Sequence, residues 1–285
     1  MKKEVRTAAY DEELKLEAYR LEGFVRPFPE HFHEYYVFGY LEEGQRLMSC
    51  KNKDYALGRG DIVLFNPHEI HCCRHIGEKP LDYRGINLPE DTMADLIKEI
   101  TGEAKLPFFP QNVVQDEEAA GYLRRIHQNI MEENCIFEKE ENVLLLVSLL
   151  VKRYGQEKKE TAEELPGKNM DAVEKVCSFL EEHFNERICL DQLCRFVGLS
   201  KSTLLRKFTE YKGVTPYRYL ENIRISQAKK LLEKGCTPIE TAMRTGFSDQ
   251  SHFTNYFNSF IGLSPGMYRE IFMEKEEAGE KENGR

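Results

Sequence analysis

The chain has 285 residues, of which 41% are hydrophobic and 31% charged. That balance excludes collagen-like repeats and a chain too polar to build a core, and the length corresponds to about two domains. The formal net charge is −9, from 40 basic and 49 acidic residues, yet residues 201–230 hold eight basic side chains against two acidic ones. A local excess of that size is an electrostatic footprint suited to a polyanion.

The first residues lead into a charged segment without the apolar stretch of a secretory signal, so the expected location is cytoplasmic. The longest apolar run, 143–151, is nine residues interrupted by Ser148. A membrane span needs about 20, so the run reads as a buried helix and no membrane partner is expected. The eight cysteines include no Cys-x-x-Cys pair and read as reduced thiols.

Residues 1–88 read as β structure: aromatic and β-branched runs such as 34–41 and 61–65 alternate with turn residues at Gly44, Gly58, Gly60, Pro67 and Gly77. That pattern predicts a small barrel or sandwich. From 89 to 155 the period becomes helical. Met93, Leu96, Ile97 and Ile100 form one stripe, Leu123, Ile126 and Ile130 another, and an apolar helix spans 137–154. Residues 156–169 have the composition of a linker, 170–273 are helical throughout, and 274–285 read as a flexible tail.

The carboxy-terminal zone repeats itself. Leu193-Cys-Arg-Phe-Val-Gly198-Leu-Ser200, followed by Leu204, Phe208, Gly213, Pro216 and Tyr219, returns as Thr241-Ala-Met-Arg-Thr-Gly246-Phe-Ser248, followed by Phe253, Phe257, Gly262, Pro265 and Tyr268. The offset is 48 up to the serine and 49 from Leu204/Phe253 onward. Each copy reads as a short helix, a glycine in the left-handed region, an apolar plug (Leu199 or Phe247) and a second helix capped by Ser200 or Ser248. That is a helix-turn-helix. A continuous helix from Pro216 joins the copies, and Thr237-Pro238 and Ser264-Pro265 read as a cap followed by a first-turn proline.

These residues resemble the DNA-binding domain of the AraC/XylS family of transcription regulators over about 170–272. Ala242, Gly246-Phe247-Ser248, Ser251-His252-Phe253, Phe257, Gly262, Ser264-Pro265 and Tyr268-Arg269 carry the resemblance. It implies double-stranded DNA as the partner, RNA polymerase as a further partner, and a small-molecule effector. The outward face of each second helix is expected in a major groove. That face offers Lys201, Ser202, Thr203 and Arg206 in the first copy, and Gln250, Ser251, His252 and Asn255 in the second. Arg206 suits guanine, while Gln250 or Asn255 suits adenine. Thr203 and His252 sit beside the apolar seam, where packing or capping is the other role open to them. The second helix carries no Lys or Arg, which favours phosphate and backbone contacts there over base readout.

Five of the eight histidines (31, 33, 68, 71, 75) lie in the β zone. Pro29-Glu-His31-Phe-His33-Glu34 and Gly60-Asp61 with Asn66-Pro-His-Glu-Ile-His71 resemble the two motifs of a cupin barrel, the ligand-binding domain of many AraC-type regulators. His31, His33 and His71 are the candidate effector-binding residues. Metal cupins place a glutamate where this chain has Val37 and Phe38, and Glu34 falls on the other face of an alternating strand. No catalytic residue, metal ligand or cofactor is therefore assigned.

The expected fold class is α+β: a cupin-like β-barrel with a helical segment, then an all-α domain with two helix-turn-helix motifs. The expected function is a sequence-specific DNA-binding regulator under effector control, not an enzyme. The alternative is a metal-dependent cupin enzyme, or a metal or thiol sensor using His71-Cys72-Cys73-Arg74-His75, fused to a DNA-binding domain. The helix at 137–154 is apolar nearly all round, and a small barrel covers one side of it. It is expected to form a homodimer with Leu146 in the interface; packing wholly within the chain is the other solution.

Overall fold

Alternation of the β2 (Leu16–Phe24) and β4 (Tyr35–Glu43) side chains between two apolar environments sets the architecture of the amino-terminal part. The computed structural model describes the backbone of residues 4–51, 53–132, 136–157 and 168–282. The chain divides into two compact units, one of residues 1–28 and 32–159 and the other of residues 29–31 and 160–285. The amino-terminal part of the chain contains β1 (Val5–Asp11), β2, β3 (Phe28–His31), β4, β5 (Gln45–Cys50), β6 (Lys53–Leu57), β7 (Asp61–Phe65), β8 (His71–Ile76) and β9 (Leu81–Pro89). It continues with α1 (Glu90–Thr101), β10 (Pro107–Phe108), β11 (Val113–Gln115), α2 (Glu117–Met131), α3 (Ile136–Tyr154) and β12 (Gln156–Glu157).

The larger sheet has strand order β1-β2-β9-β4-β7-β11 and every pairing in it is antiparallel. The smaller has order β3-β8-β5-β6. Val37 and Leu41 of β4 join Leu21, Phe24, Val63 and Phe65 against Met48, Cys50 and Leu57 of the smaller sheet, forming the core between the sheets. Tyr36, Phe38 and Tyr40 point the other way, into a second core with α1, α2 and α3. Both faces of β4 are covered, so its sequence is a continuous apolar run instead of an alternating one.

The second core absorbs most of α3. Val143, Leu146, Val147 and Leu150 lie within it, and Leu146 is fully buried. Lys139 donates to Asp11 Oδ2 at 2.8 Å, and Asp11 Oδ1 accepts the Leu14 amide, pinning α3 to the β1–β2 hairpin. The expectation that Leu146 lies in a subunit interface is therefore corrected. Leu146 is core, while Leu145 on the opposite side is 42% exposed. The helix is apolar nearly all round because the outer face of a sheet, together with α1 and α2, covers what the barrel interior does not. The segment read as helical from 89 to 155 also supplies strands, and β11 extends the larger sheet beside β7.

The carboxy-terminal part of the chain is all-helical among its described residues from 168 onward: α4 (Lys168–Glu182), α5 (Leu190–Val197), α6 (Lys201–Lys212), α7 (Pro216–Glu233), α8 (Pro238–Arg244), α9 (Gln250–Ile261) and α10 (Pro265–Glu282). The backbone of α10 runs nine residues past Met273, where the tail was expected to begin. Residues 158–167 of the expected linker, residues 283–285 of the tail and Cys135 lie outside the described residues. The other seven cysteines are free thiols. No helix is long and apolar enough to cross a membrane among the described residues.

Candidate nucleic-acid interface

The two copies of the repeat are built alike from the turn outward. In the first, α5 ends at Gly198 in the left-handed region (φ 68), Leu199 follows, and the Ser200 side chain accepts from Thr203 N to start α6. In the second, α8 ends one residue before Gly246 (φ 76), and Phe247 is buried in the turn. A Cβ on Gly198 meets nothing within 4 Å, so only its φ demands glycine; on Gly246 it would lie 2.9 Å from both Asn185 O and Arg224 Nη2.

The second cap differs from expectation. Asp249, not Ser248, is the N-cap of α9: its carboxylate accepts from His252 N, while Ser248 Oγ donates to Asp249. Counted from the glycine to the helix start, the turn of the second copy is one residue longer, and Ser248 is the additional residue. This explains why the offset is 48 before the turn and 49 after it. An aspartate already orients its carboxylate to the first amides of a helix and suits the positive end of its dipole, so it takes the cap when both residue types are adjacent. Thr215, Thr237 and Ser264 each accept an amide three residues on, as expected of caps preceding proline. Thr237 completes a capping box with Glu240.

Behind the turns the copies share a core. Leu204 and Phe208 of α6, and Phe253 and Phe257 of α9, are fully buried. Phe208 meets Tyr219 edge-on with centroids 5.6 Å apart, and Phe257 meets Tyr268 likewise at 5.5 Å. Each tyrosine hydroxyl donates to a glutamate 2.7 Å away, Glu181 for Tyr219 and Glu233 for Tyr268. The repeat is thus carried into buried polar bonds. Burial of these phenols, seconded by the acceptor carboxylate for Tyr219, raises the Tyr219 pKa.

The candidate DNA-contacting residues fall at matching positions, since Lys201, Ser202, Thr203 and Arg206 precede Gln250, Ser251, His252 and Asn255 by 49. All but Thr203 are exposed. Arg206 reaches back only to Glu210, at 3.4 Å, with 65% of its side chain in solvent. Exposed pairs of this kind contribute about 0–1 kcal/mol, so the guanidinium is free to exchange partners. Lys201 pairs with Asp191 at 2.8 Å, which raises its pKa. Thr203 and His252 are tied to their own turns: Thr203 Oγ1 lies 2.8 Å from Ser200 Oγ, and His252 packs edge-on against Phe247.

The basic stretch 201–230 is less available than its charge implies. Arg224 donates to Phe184 O and Glu186 O, both at 2.8 Å, holding α7 to the loop after α4. Lys229 is buried, with its ammonium 5.5 Å from the centre of the Tyr268 ring. Arg218 bonds Glu221 (3.0 Å) and the Tyr256 hydroxyl (2.6 Å), and Tyr256 also bonds the buried Glu221 carboxylate, joining α7 to α9. Lys212 pairs with Glu174 of α4 at 3.0 Å. Charge counting could not separate such ties from surface cations. The Arg218–Glu221–Tyr256 cluster carries no sequence signal at all.

Of the histidines in the amino-terminal part of the sequence, His31, His33 and His71 each have one potential donor atom within 4.8 Å of the others. His68 and His75 are not in that group. His33 and His71 rings lie 5.1 Å apart, and the His71 ring stacks on Phe65 at 3.8 Å. Burial pushes the Cys73 thiol up to about 11, which keeps it protonated at neutral pH and unreactive as a nucleophile.

Comparison with known proteins agrees with both halves of this description. Residues 16–150 match the family model of the AraC-like ligand binding domain, and 193–271 match that of a helix-turn-helix domain. The HTH-type transcriptional regulator YbfI of Bacillus subtilis (strain 168) is 46% identical over 252 residues, covering 88% of this chain and 90% of that protein. The HTH-type transcriptional activator RhaS of Klebsiella pneumoniae (strain 342) is 26% identical over 257 residues, covering 84% and 86%. Among solved structures, ToxT from Vibrio cholerae O395 shares the fold, with a TM-score of 0.54 at 16% identity over 94% of this chain and 98% of that one. A crystal structure of ToxT with bound unsaturated fatty acid matches at 0.55 and 16% identity, covering 96% and 99%. Two matched halves and a relative this similar along most of its length place the chain in the AraC family of DNA-binding transcription regulators, with an AraC-like ligand-binding domain ahead of its helix-turn-helix domain.

Proposed function

We propose that α6 and α9 enter successive major grooves of double-stranded DNA, and that a small molecule bound among His31, His33 and His71 controls this binding. Lys201, Ser202 and Arg206 read base edges, and Gln250, Ser251 and Asn255 contribute mainly backbone contacts, with Thr203 and His252 holding the turns. The observation that carries this reading is the pair of exposed side-chain sets at equivalent positions on two capped helices, whose helix-turn-helix motifs are joined by α7. Footprinting tests it: one protomer is expected to protect roughly two helical turns, with the grooves about 34 Å apart. A single protected groove per protomer overturns it.

The protein acts in the cytoplasm, as a regulator and not as an enzyme. It works as a homodimer that engages RNA polymerase, and it activates transcription, the last of these being what the name of the transcriptional activator RhaS says of that relative. The partly exposed Leu144, Leu145 and Leu149 side of α3 supports a dimer contact there. Leu145→Glu is expected to lower the oligomer mass in analytical ultracentrifugation with the fold intact, whereas Leu146→Glu, which buries a charge, is expected to unfold the unit. A wild-type monomer at tens of micromolar, with and without operator DNA, removes the dimer from this reading.

A further inference from the structure

Helix α9 is tied to its neighbours in two different ways. Phe253 and Phe257 fasten it within its own copy, against Phe247 and Tyr268 at centroid distances of 5.1 and 5.5 Å. Tyr256 reaches out of that copy, to α7. Its hydroxyl accepts from Arg218 Nη1 at 2.6 Å and donates to Glu221 Oε2, and Arg218 Nη1 donates to the same carboxylate oxygen at 3.0 Å. The Glu221 side chain is only 4% exposed. Burial, with the carboxylate beside it, raises the Tyr256 pKa, so the phenol keeps its proton and remains a donor.

The α7 end of this triangle is itself held. Thr215 Oγ1 accepts from Arg218 N at 3.3 Å, and Asn222 Nδ2 donates to Arg218 O at 2.7 Å. Further along, Arg224 fastens α7 to the loop after α4, and Tyr219 packs on Phe208 of α6 while bonding Glu181 of α4. Helix α7 is thus anchored to the first copy, and at Arg218 and Glu221 it takes hold of α9 of the second. Hydrogen bonds to charged groups are directional and strong, so the triangle restricts rotation of α9 about its axis more than ring packing does. Lys207 stands at the equivalent position of the first copy, so the repeat alone does not demand this tie.

We propose that Arg218, Glu221 and Tyr256 are positioning residues for DNA recognition, fixing the orientation of α9 relative to α7 and so the spacing of the two grooves that one chain accepts. The inference rests on the reading that α6 and α9 occupy successive major grooves. Tyr256 directly follows Asn255, so a turn of α9 about its axis carries Gln250, Ser251 and Asn255 with it. One base pair added between the two grooves moves the second by about 3.4 Å and turns it by about 35°. An α9 held by the triangle does not follow that displacement. Released from α7, it follows, and the chain loses its preference for one spacing. The selectivity is for DNA geometry and needs no base contact from the three residues.

The test uses full-length protein and a duplex that it selects from random DNA, remade with one base pair added or removed between the two protected grooves. Wild type is expected to lose more than about tenfold in affinity on either altered duplex. Tyr256→Phe keeps the ring and its stacking on Phe260 at 4.7 Å but opens the triangle, and is expected to cut that loss to less than about threefold. Glu221→Gln, which keeps an acceptor but not the ion pair, is expected to act in the same direction and carries the test if Tyr256→Phe is unstable. Tyr268→Phe is the control: it deletes a phenol–carboxylate bond of the same kind, from α10 to Glu233 of α7, and is expected to keep the full spacing penalty. Thermal unfolding checks each fold. Retention of the wild-type spacing dependence in Tyr256→Phe, or equal relaxation in Tyr268→Phe, overturns the proposal and leaves the two-groove reading standing. A wild-type protein indifferent to spacing overturns both.

Discussion

The two helix-turn-helix copies reach the same geometry with different chemistry. The first turn is short, capped by a neutral serine, and opens onto a helix bearing Lys201, Arg206 and Lys207. The second has one more residue, is capped by an aspartate, and opens onto a helix with no cation. At the position of Lys207 stands Tyr256, drawn inward to Glu221 and Arg218 of α7. One copy presents charge to its surroundings, and the other uses the equivalent positions to fasten itself to the helix between them. The difference teaches that a repeat preserves its turn and its aromatic core while its outward face diverges in function.

The largest expected effect separates the two glycines. Gly198→Ala requires only an unfavourable φ and is expected to cost about 1–2 kcal/mol. Gly246→Ala adds contact at 2.9 Å with a backbone oxygen and is expected to cost about 3–4 kcal/mol in urea unfolding. Equal costs would mean that the second turn relaxes and that its packing against Asn185 is not structural.

A smaller effect concerns DNA. Arg206→Ala is expected to weaken binding to the specific site by about 1–3 kcal/mol and to relax preference at one base pair. Asn255→Ala, at the equivalent position of the second copy, is expected to weaken specific and non-specific sites alike by less than about 1 kcal/mol. Titrations at fixed salt decide it: an Arg206→Ala protein that binds like wild type breaks the division of labour between the copies.

The smallest effect is a pH dependence confined to one cap. The bond from the His252 amide, and then that from Ser248, hold the Asp249 carboxyl below its ordinary value of 3.8. The charged cap favours folding, so its contribution is complete above about pH 4 and disappears as pH falls through the lowered folded value. Amide exchange at the start of α9 is expected to accelerate in acid relative to the start of α6, where Ser200 does not titrate. At neutral pH, Ser200→Ala is expected to cost about 1 kcal/mol, and Asp249→Ala is expected to destabilise the start of α9. Identical acid profiles for the two helix starts contradict the assignment of Asp249 as the cap.

Much of the DNA-binding unit was legible because its signals are local. Left-handed turns demand glycine, caps demand a short side-chain acceptor, and the 48-to-49 change in offset already located an inserted residue near Ser248. Ser248 and Asp249 are both competent caps, and the extra residue in the turn leaves the role to Asp249. In the first unit, the apolar run 34–41 became β4 and 61–65 became β7. The unbroken apolar character of the first run also held the answer for α3: a strand buried on both faces needs a second layer, and α1–α3 are that layer.

What the sequence by itself determined is therefore the main strands and helices, the repeat, and the family to which its motifs belong, since these depend on backbone energetics within a few residues. Tertiary structure alone decided which partner each long side chain found. It took Arg224 and Lys229 out of the apparent basic surface, placed Leu146 in the core and Leu145 outside it, and brought His33 beside His71 from 38 residues away. The physical reason is that a flexible charged or aromatic side chain has several partners of similar local energy. Only the packing of distant elements removes water from all but one of them.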